Sequence, residues 1–281
     1  WADLNGDNKP ELIVAGEWMP IRIFENQKGM MKDVSARFNL NQTEGWWNKV
    51  VADDIDGDGD MDIIGGNLGE NYKFQASVEK PFEVYAKDFD GNGSNDIFLA
   101  KHLTGKVVPI RGRECTSQQC PIILQKFPTF LSFAESDLNG ILGEETMKTA
   151  LHYKAHLFST VVFVNDGGKF SIKKLPLEAQ LSTVNGIIVK DFDFDGKKDI
   201  LLAGNKFDVE VETTPADASP GVFLKGLGRN EFIALKPLES GFFAPYNVKS
   251  IEPIQINNKW AILVSANNDS LRIFATKPVR E

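Results

Sequence analysis

A nine-residue pattern recurs four times along the chain and limits what it can fold into. Asp3-Leu4-Asn5-Gly6-Asp7-Asn8-Lys9-Pro10-Glu11, Asp54–Asp62, Asp88–Asp96 and Asp191–Asp199 all carry side-chain oxygens at positions 1, 3, 5 and 9. Each copy runs directly into an aliphatic stretch: Leu12–Ala15, Ile63–Gly65, Ile97–Ala100 and Ile200–Ala203. Carboxylates at alternate positions beside glycines suit neither a helix nor a strand. In the second copy Asp54, Asp56, Asp58, Asp60 and Asp62 repel one another unless a cation neutralises them. A hard cation such as Ca²⁺ takes about six to eight oxygens from carboxylates, carbonyls and water. A tightly turning loop can aim positions 1, 3 and 5 inward and close the shell with position 9, and Gly57 and Gly59 permit the positive φ angles that such wrapping requires. Position 7 is Lys9, Asp60, Ser94 or Lys197. Such freedom fits a ligand supplied by the backbone carbonyl. An EF-hand does not fit, because that loop needs a Glu at position 12 and a helix on each side. Here position 12 is Val14, Gly65, Leu99 or Leu202, inside an apolar run.

The flanks read as strands. Lys49–Ala52, Phe82–Ala86 and Gly186–Val189 precede loops, and Ile21–Phe24, Val222–Leu224 and Phe232–Leu235 follow them, separated by Gly, Asn, Asp and Pro. Val161–Val164 and Lys169–Ile172 flank Asn165-Asp166-Gly167-Gly168 as a hairpin. Trp260–Val264 and Leu271–Phe274 form a last unit without a loop. The loops start at 3, 54, 88 and 191, at intervals of 51, 34 and 103 residues. Propeller blades need about 40–50 residues each, so the short interval implies a trimmed blade and the long one an insertion. From Pro128 to Ala155 the pattern turns helical and resumes over Glu144–Tyr153 after Gly140 and Gly143. The expected fold is all-β: a single β-propeller domain over 1–281 of about five short four-stranded antiparallel blades, with a mainly helical insertion at 115–157. The chain opens at Trp1-Ala2-Asp3, already at a motif, so it reads as part of a longer protein.

Taken together, these loops resemble the FG-GAP (VCBS) repeats of integrin-α-type β-propellers. Further stretches are similar to large repeat proteins common in Bacteroidetes and related to the cartilage acidic protein and ASPIC/UnbV group. They include Gly16-Glu17-Trp18-Met19-Pro20, Gly45-Trp46-Trp47-Asn48, Gly66-Asn67-Leu68-Gly69-Glu70-Asn71 and Pro81–Asp90. Arg111-Gly112-Arg113-Glu114-Cys115, Lys126-Phe127-Pro128, Leu175-Pro176, Ala203-Gly204-Asn205 and Glu210-Val211-Glu212-Thr213 are others. The resemblance implies up to four Ca²⁺ ions. Their ligands would be Asp3, Asn5, Asp7 and Glu11; Asp54, Asp56, Asp58 and Asp62; Asp88, Asp90, Asn92 and Asp96; and Asp191, Asp193, Asp195 and Asp199. The carbonyls of Lys9, Asp60, Ser94 and Lys197 would complete the shells. The first and third loops each carry an Asn, hence one charge fewer, and are expected to bind more weakly. The resemblance also implies an exported, extracellular or cell-surface protein.

The net charge of −8 would be cancelled by four divalent ions, so the acidity reads as stored metal charge. No basic cluster favours nucleic acid, and no apolar run is long enough for a transmembrane helix. Cys115 and Cys120 suit either a short local disulfide or two thiols. His152 and His156 lack the Glu of a zinc-protease helix and read as surface residues, and His102 has no evident partner. Trp18, Trp46 and Trp47 read as core or rim packing rather than a glycan platform. Asp269-Ser270-Leu271 matches a short O-glycosylation pattern of exported Bacteroidetes proteins. The expected function is non-enzymatic: an exported, calcium-stabilised binding or assembly module whose partner is a protein of a cell-envelope complex. The competing readings are a carbohydrate-active lyase or hydrolase using Glu210, Glu212 and Asp217, and a glycan-binding lectin.

Overall fold

Short β-branched and aromatic runs bounded by turn residues build an antiparallel, all-β structure. The computed structural model describes residues 1–210, 213–257 and 259–276. The chain divides into two compact units, Trp1–Lys73 with Phe158–Glu281, and Phe74–Leu157.

The first unit begins with β1 (Leu12–Val14), β2 (Glu17–Met19), β3 (Arg22–Gln27), β4 (Met30–Asp33) and β5 (Gly45–Trp46). They form a three-stranded sheet, β1-β3-β4, and a short pair, β2-β5. Next, β6 (Lys49–Asp53) and β7 (Asp62–Gly66) open a sheet that is finished only after the whole second unit has been made.

That second unit holds β8 (Phe82–Lys87), β9 (Asp96–Leu103) and β10 (Lys106–Pro109). Five short helices follow: α1 (Arg113–Gln119), α2 (Ile122–Lys126), α3 (Phe130–Ala134), α4 (Leu138–Leu142) and α5 (Glu144–Met147). The unit ends with β11 (Leu151–Ala155), and its sheet runs β10-β9-β8-β11. Helices this short are not stable alone. They are held by Ile123, Phe127, Phe133, Leu138 and Ile141, which pack with Tyr85, Phe98 and Ala100 of the sheet. The 115–157 stretch is therefore helical only as far as Met147. Leu151–Ala155, expected to continue a helix, instead pairs antiparallel with β8. The open edge of β8 supplies backbone partners that override the local helical pattern.

Back in the first unit, β12 (Val161–Asn165) and β13 (Phe170–Lys174) complete the sheet β6-β7-β12-β13. A four-stranded meander follows: β14 (Val184–Lys190), β15 (Asp199–Gly204), β16 (Val222–Gly228) and β17 (Glu231–Leu235). After one turn of helix, β18 (Val248–Ile256), β19 (Lys259–Ala266) and β20 (Arg272–Ala275) form a three-stranded sheet. The 34-residue interval between the second and third loops is thus no trimmed sheet. The sheet is interrupted after two strands and resumes at Val161.

Side chains alternate between the faces of a strand, and β14 and β15 use both. Ile187, Ile200 and Leu202 join Ile64 and Val162 in one cluster, while Ile188, Leu201 and Ala203 join Val248, Ile251, Ile262 and Val264 in another. Burying one such side chain contributes about 1.5–3 kcal/mol. Backbones approach closely where these elements meet: a Cβ on Gly204 would lie 1.7 Å from the Thr183 carbonyl oxygen.

Candidate metal centres

All four acidic loops sit in one structural frame. The residue before the loop pairs with loop position 9: Ala2 with Glu11, Asp53 with Asp62, Lys87 with Asp96 and Lys190 with Asp199. Each loop therefore connects two antiparallel partners in the same register. Positions 4 and 6 have positive φ in every copy: Gly6 and Asn8, Gly57 and Gly59, Gly91 and Gly93, Phe194 and Gly196.

Hydrogen bonds repeat with the frame. The position 1 carboxylate accepts from loop N–H groups, as in Asp54 Oδ1 from Gly57 at 2.8 Å and Asp88 Oδ2 from Gly93 at 2.9 Å. Asp3 accepts from Gly6 and Asn8, and Asp191 from Asp195 and Gly196. Position 5 accepts from the N–H of position 7: Asp7 from Lys9, Asp58 from Asp60, Asn92 from Ser94 and Asp195 from Lys197. At position 9 the carboxylate accepts from the N–H of position 2, as Glu11 from Leu4, Asp62 from Ile55, Asp96 from Phe89 and Asp199 from Phe192. All four position 9 residues are buried.

Position 9 thus anchors the loop to its own backbone, a role that ligand spacing alone does not reveal. Asp62 and Asp199 also accept a second N–H, from Asn165 and Gly226, both at 2.8 Å. Burial pushes the Asp62 carboxyl up to about 6, against the lowering effect of its backbone hydrogen bonds. Burial likewise raises Glu11, Asp96 and Asp199.

Three carboxylate triads have ligand atoms within 4.8 Å of one another: Asp54-Asp56-Asp58, Asp88-Asp90-Asp96 and Asp191-Asp193-Asp195. Two like charges about 4 Å apart repel by about 4 kcal/mol at an effective dielectric near 20, so each triad favours an added cation. The donors are all oxygens, which suits a hard ion. In the second loop Asp56 Oδ1 is buried with no hydrogen-bond partner, while Asp56 Oδ2 accepts from Asn230 at 2.7 Å. That orphaned oxygen beside two further carboxylates fits a metal ligand. The first loop forms no such triad among the described residues: Asn5 stands at position 3 and donates to Glu11 at 3.1 Å. In the fourth loop Lys225 of β16 pairs with Asp193 and, at 3.2 Å, with Asp195, so part of that triad's charge is met internally.

Residues 3–65 match the FG-GAP-like repeat. The match covers the first two acidic loops and the strands between them. No match was found among curated proteins or among solved structures.

Elsewhere, residues singled out in the sequence fall differently. Glu83 is buried on β8 and accepts from Tyr85 at 2.7 Å. His102 and His152 lie 2.7 and 2.6 Å from its two oxygens. His152 is therefore on a strand, not a helix, and both histidines have a partner. Only the cross-strand pairing of β8 with β9 and β11 brings them together, so no spacing in the sequence marks the cluster. Burial raises the Glu83 carboxyl, but the bonds from Tyr85, His102 and His152 outweigh it and hold it below the usual range. Cys115 and Cys120 are thiols rather than a disulfide, and burial pushes Cys120 up to about 11. Trp47 is buried against Phe163. Of the acidic group after Asn205, Glu210 accepts from Thr213 at 2.9 Å, Asp217 is exposed, and Glu212 lies outside the described residues. Ser270 is exposed in the connection between β19 and β20. Among the described residues no helix is long and apolar enough to cross a membrane.

Proposed function

We propose that this chain is a calcium-stabilised β-propeller portion acting as a non-enzymatic binding or assembly module, exported to the cell surface. One observation carries the reading: four acidic loops share a single frame, each joining two antiparallel partners. A site used once for chemistry needs no copies, whereas a structural staple is repeated with the element it closes. The face-to-face clusters between successive sheets and the FG-GAP-like repeat match support the propeller. Calcium is the proposed occupant of the three triads, bound by Asp54, Asp56 and Asp58, by Asp88, Asp90 and Asp96, and by Asp191, Asp193 and Asp195. Carbonyls at position 7 and the position 9 carboxylates complete the shells. The first loop is the weakest site. The partner is a protein of a cell-envelope complex, recognised by surfaces that differ between repeats.

Thermal unfolding with and without chelator tests the metal. The melting temperature should fall by several degrees on chelation and recover with added calcium. An unchanged melting temperature across that titration would sink the structural-calcium reading. Affinity capture from the native source tests the assembly role, which fails if the chain is recovered alone.

A further inference from the structure

At the ends of the strands opposite the acidic loops, the first unit carries a partly open polar cavity of about 120 Å³. It is lined by Glu17 of β2, Trp46 of β5, Asn48, Asn185 of β14, Lys206 and Lys249 of β18. The strand pairing fixes this placement. β6 and β7 pair Lys49 with Gly66 near the cavity and Asp53 with Asp62 at the loop. β14 and β15 pair Val184 with Gly204 near the cavity and Lys190 with Asp199 at the loop. At about 3.3 Å per residue, loops and cavity are roughly 15–20 Å apart along the strands.

The lining combines unspent donors with unspent acceptors. Among the described residues, neither Lys206 nor Lys249 has a carboxylate within 4.0 Å, so both ammonium groups remain available. Two lysines and one glutamate make the lining locally positive in a chain of net charge −8. The Asn48 amide N–H₂ is spent on the Trp46 carbonyl at 3.3 Å and Thr183 Oγ1 at 2.9 Å. That of Asn185 is spent on the Asn205 and Val248 carbonyls at 3.3 and 2.8 Å. These bonds pin both amides and leave each Oδ1 as an acceptor. Trp46 contributes a half-buried indole, held edge-on by Trp18 at 5.2 Å and Phe158 at 5.3 Å.

The strand that supplies Glu17 is also strained. Trp18 has φ +61°, a conformation a bulky residue rarely adopts, and the register of β2 against β5 shifts between Glu17 and Met19. Strain of this kind persists where surrounding structure enforces it and gathers at ligand sites.

We propose that this cavity binds a carboxylated sugar, one hexuronate unit of an acidic glycan. The ammonium groups of Lys206 and Lys249 take the carboxylate. The Asn48 and Asn185 amide oxygens and Glu17 accept from the ring hydroxyls, and Trp46 forms part of the cavity wall. An acidic peptide side chain would satisfy the lysines but bring no hydroxyl donors for the three acceptors. Ligand pockets for drug-sized molecules measure about 300–1,000 Å³, so this smaller, open-mouthed cavity holds one unit while the rest of a glycan lies outside it. This assignment goes beyond the protein-partner reading: it adds a glycan ligand at a separate place on the first unit and does not depend on that partner.

The test uses the calcium-loaded chain, with glucuronate, glucose and glutarate followed by calorimetry and tryptophan fluorescence. Saturable glucuronate binding, at least tenfold tighter than glucose or glutarate, is the expected result. Lys249→Met, on an exposed strand position, should weaken glucuronate about tenfold or more, the scale of one charge-assisted hydrogen bond. Three results would overturn the assignment: no saturable glucuronate binding, equal binding of glucose, or glutarate binding as tight as glucuronate, which points to an acidic peptide. Breakdown of an oligomeric glucuronate would overturn the non-enzymatic reading while leaving the ligand class in place. Loss of glucuronate binding without loss of calcium stabilisation separates the two readings.

Discussion

At the scale of single residues, two buried carboxylates give opposite pH signatures. Asp62 is pushed up to about 6 by burial, above its ordinary value near 3.8. The folded, metal-free chain therefore holds that proton more tightly than the unfolded chain does. The contribution is present below about 4 and is lost as pH rises through 6. Across that window the loss amounts to about 3 kcal/mol. Denaturation in chelator at pH 4.5 and 7.5 should show this loss, Asp62→Asn should reduce the slope and leave the part due to Glu11, Asp96 and Asp199, and calcium should remove it by favouring the ionised form. Glu83 behaves the other way, because its hydrogen bonds lower it. Its contribution to the second unit is complete above about 4.5 and is lost as pH falls through its depressed folded value. Acid melts read by the near-ultraviolet signal of Tyr85 should show the second unit weakening first. Phe194 offers a simpler case. It stands at φ +61° where the other three loops have glycine, and its side chain is 67 % exposed. Left-handed backbone costs an L-residue about 1–2 kcal/mol, so Phe194→Gly should stabilise the chain by about 1 kcal/mol in urea titration.

At the scale of an element, the fourth loop is a hairpin that carries its own cation. Lys225 reaches from β16 onto Asp193 and Asp195, and these carboxylates raise the lysine while it helps hold Asp195 low. Lys225→Met should weaken the metal-free hairpin and strengthen calcium binding at that loop, seen as a new tight phase in calorimetry. Nothing in the nonapeptide announces this, since Lys225 lies one strand further along. The same limit holds along the whole chain. The loops, their order and the strands that follow were legible because a period-2 oxygen pattern feeding an aliphatic run depends only on local spacing. The anchoring of position 9 by Asn165 and Gly226, the Glu83 cluster and the cavity were not. Each depends on which strand lies beside which. For the same reason Leu151–Ala155 misread as helix, its fate being set by the edge of β8.

At the scale of the whole molecule, the first unit is interrupted by the second at a narrow exit. Gly69 N–H donates to the Phe158 carbonyl at 2.8 Å, so the chain leaves and returns to the first unit at nearly one point. Replacing residues 74–157 with a short glycine-rich link should leave the first unit folded, with one calcium triad lost and two retained by titration. Failure of that deletion to give a cooperative melt would mean that the first unit does not hold together alone. The shared register of the loops carries a further consequence. Because position 9 always faces the residue before position 1, the loop acts as a length standard that sets the phase of the strand behind it. In β15 that phase directs Ile200 and Leu202 to one neighbouring sheet and Leu201 and Ala203 to the other. One residue gained or lost inside a loop would exchange those two sets, so these nonapeptides can drift in composition far more freely than in length.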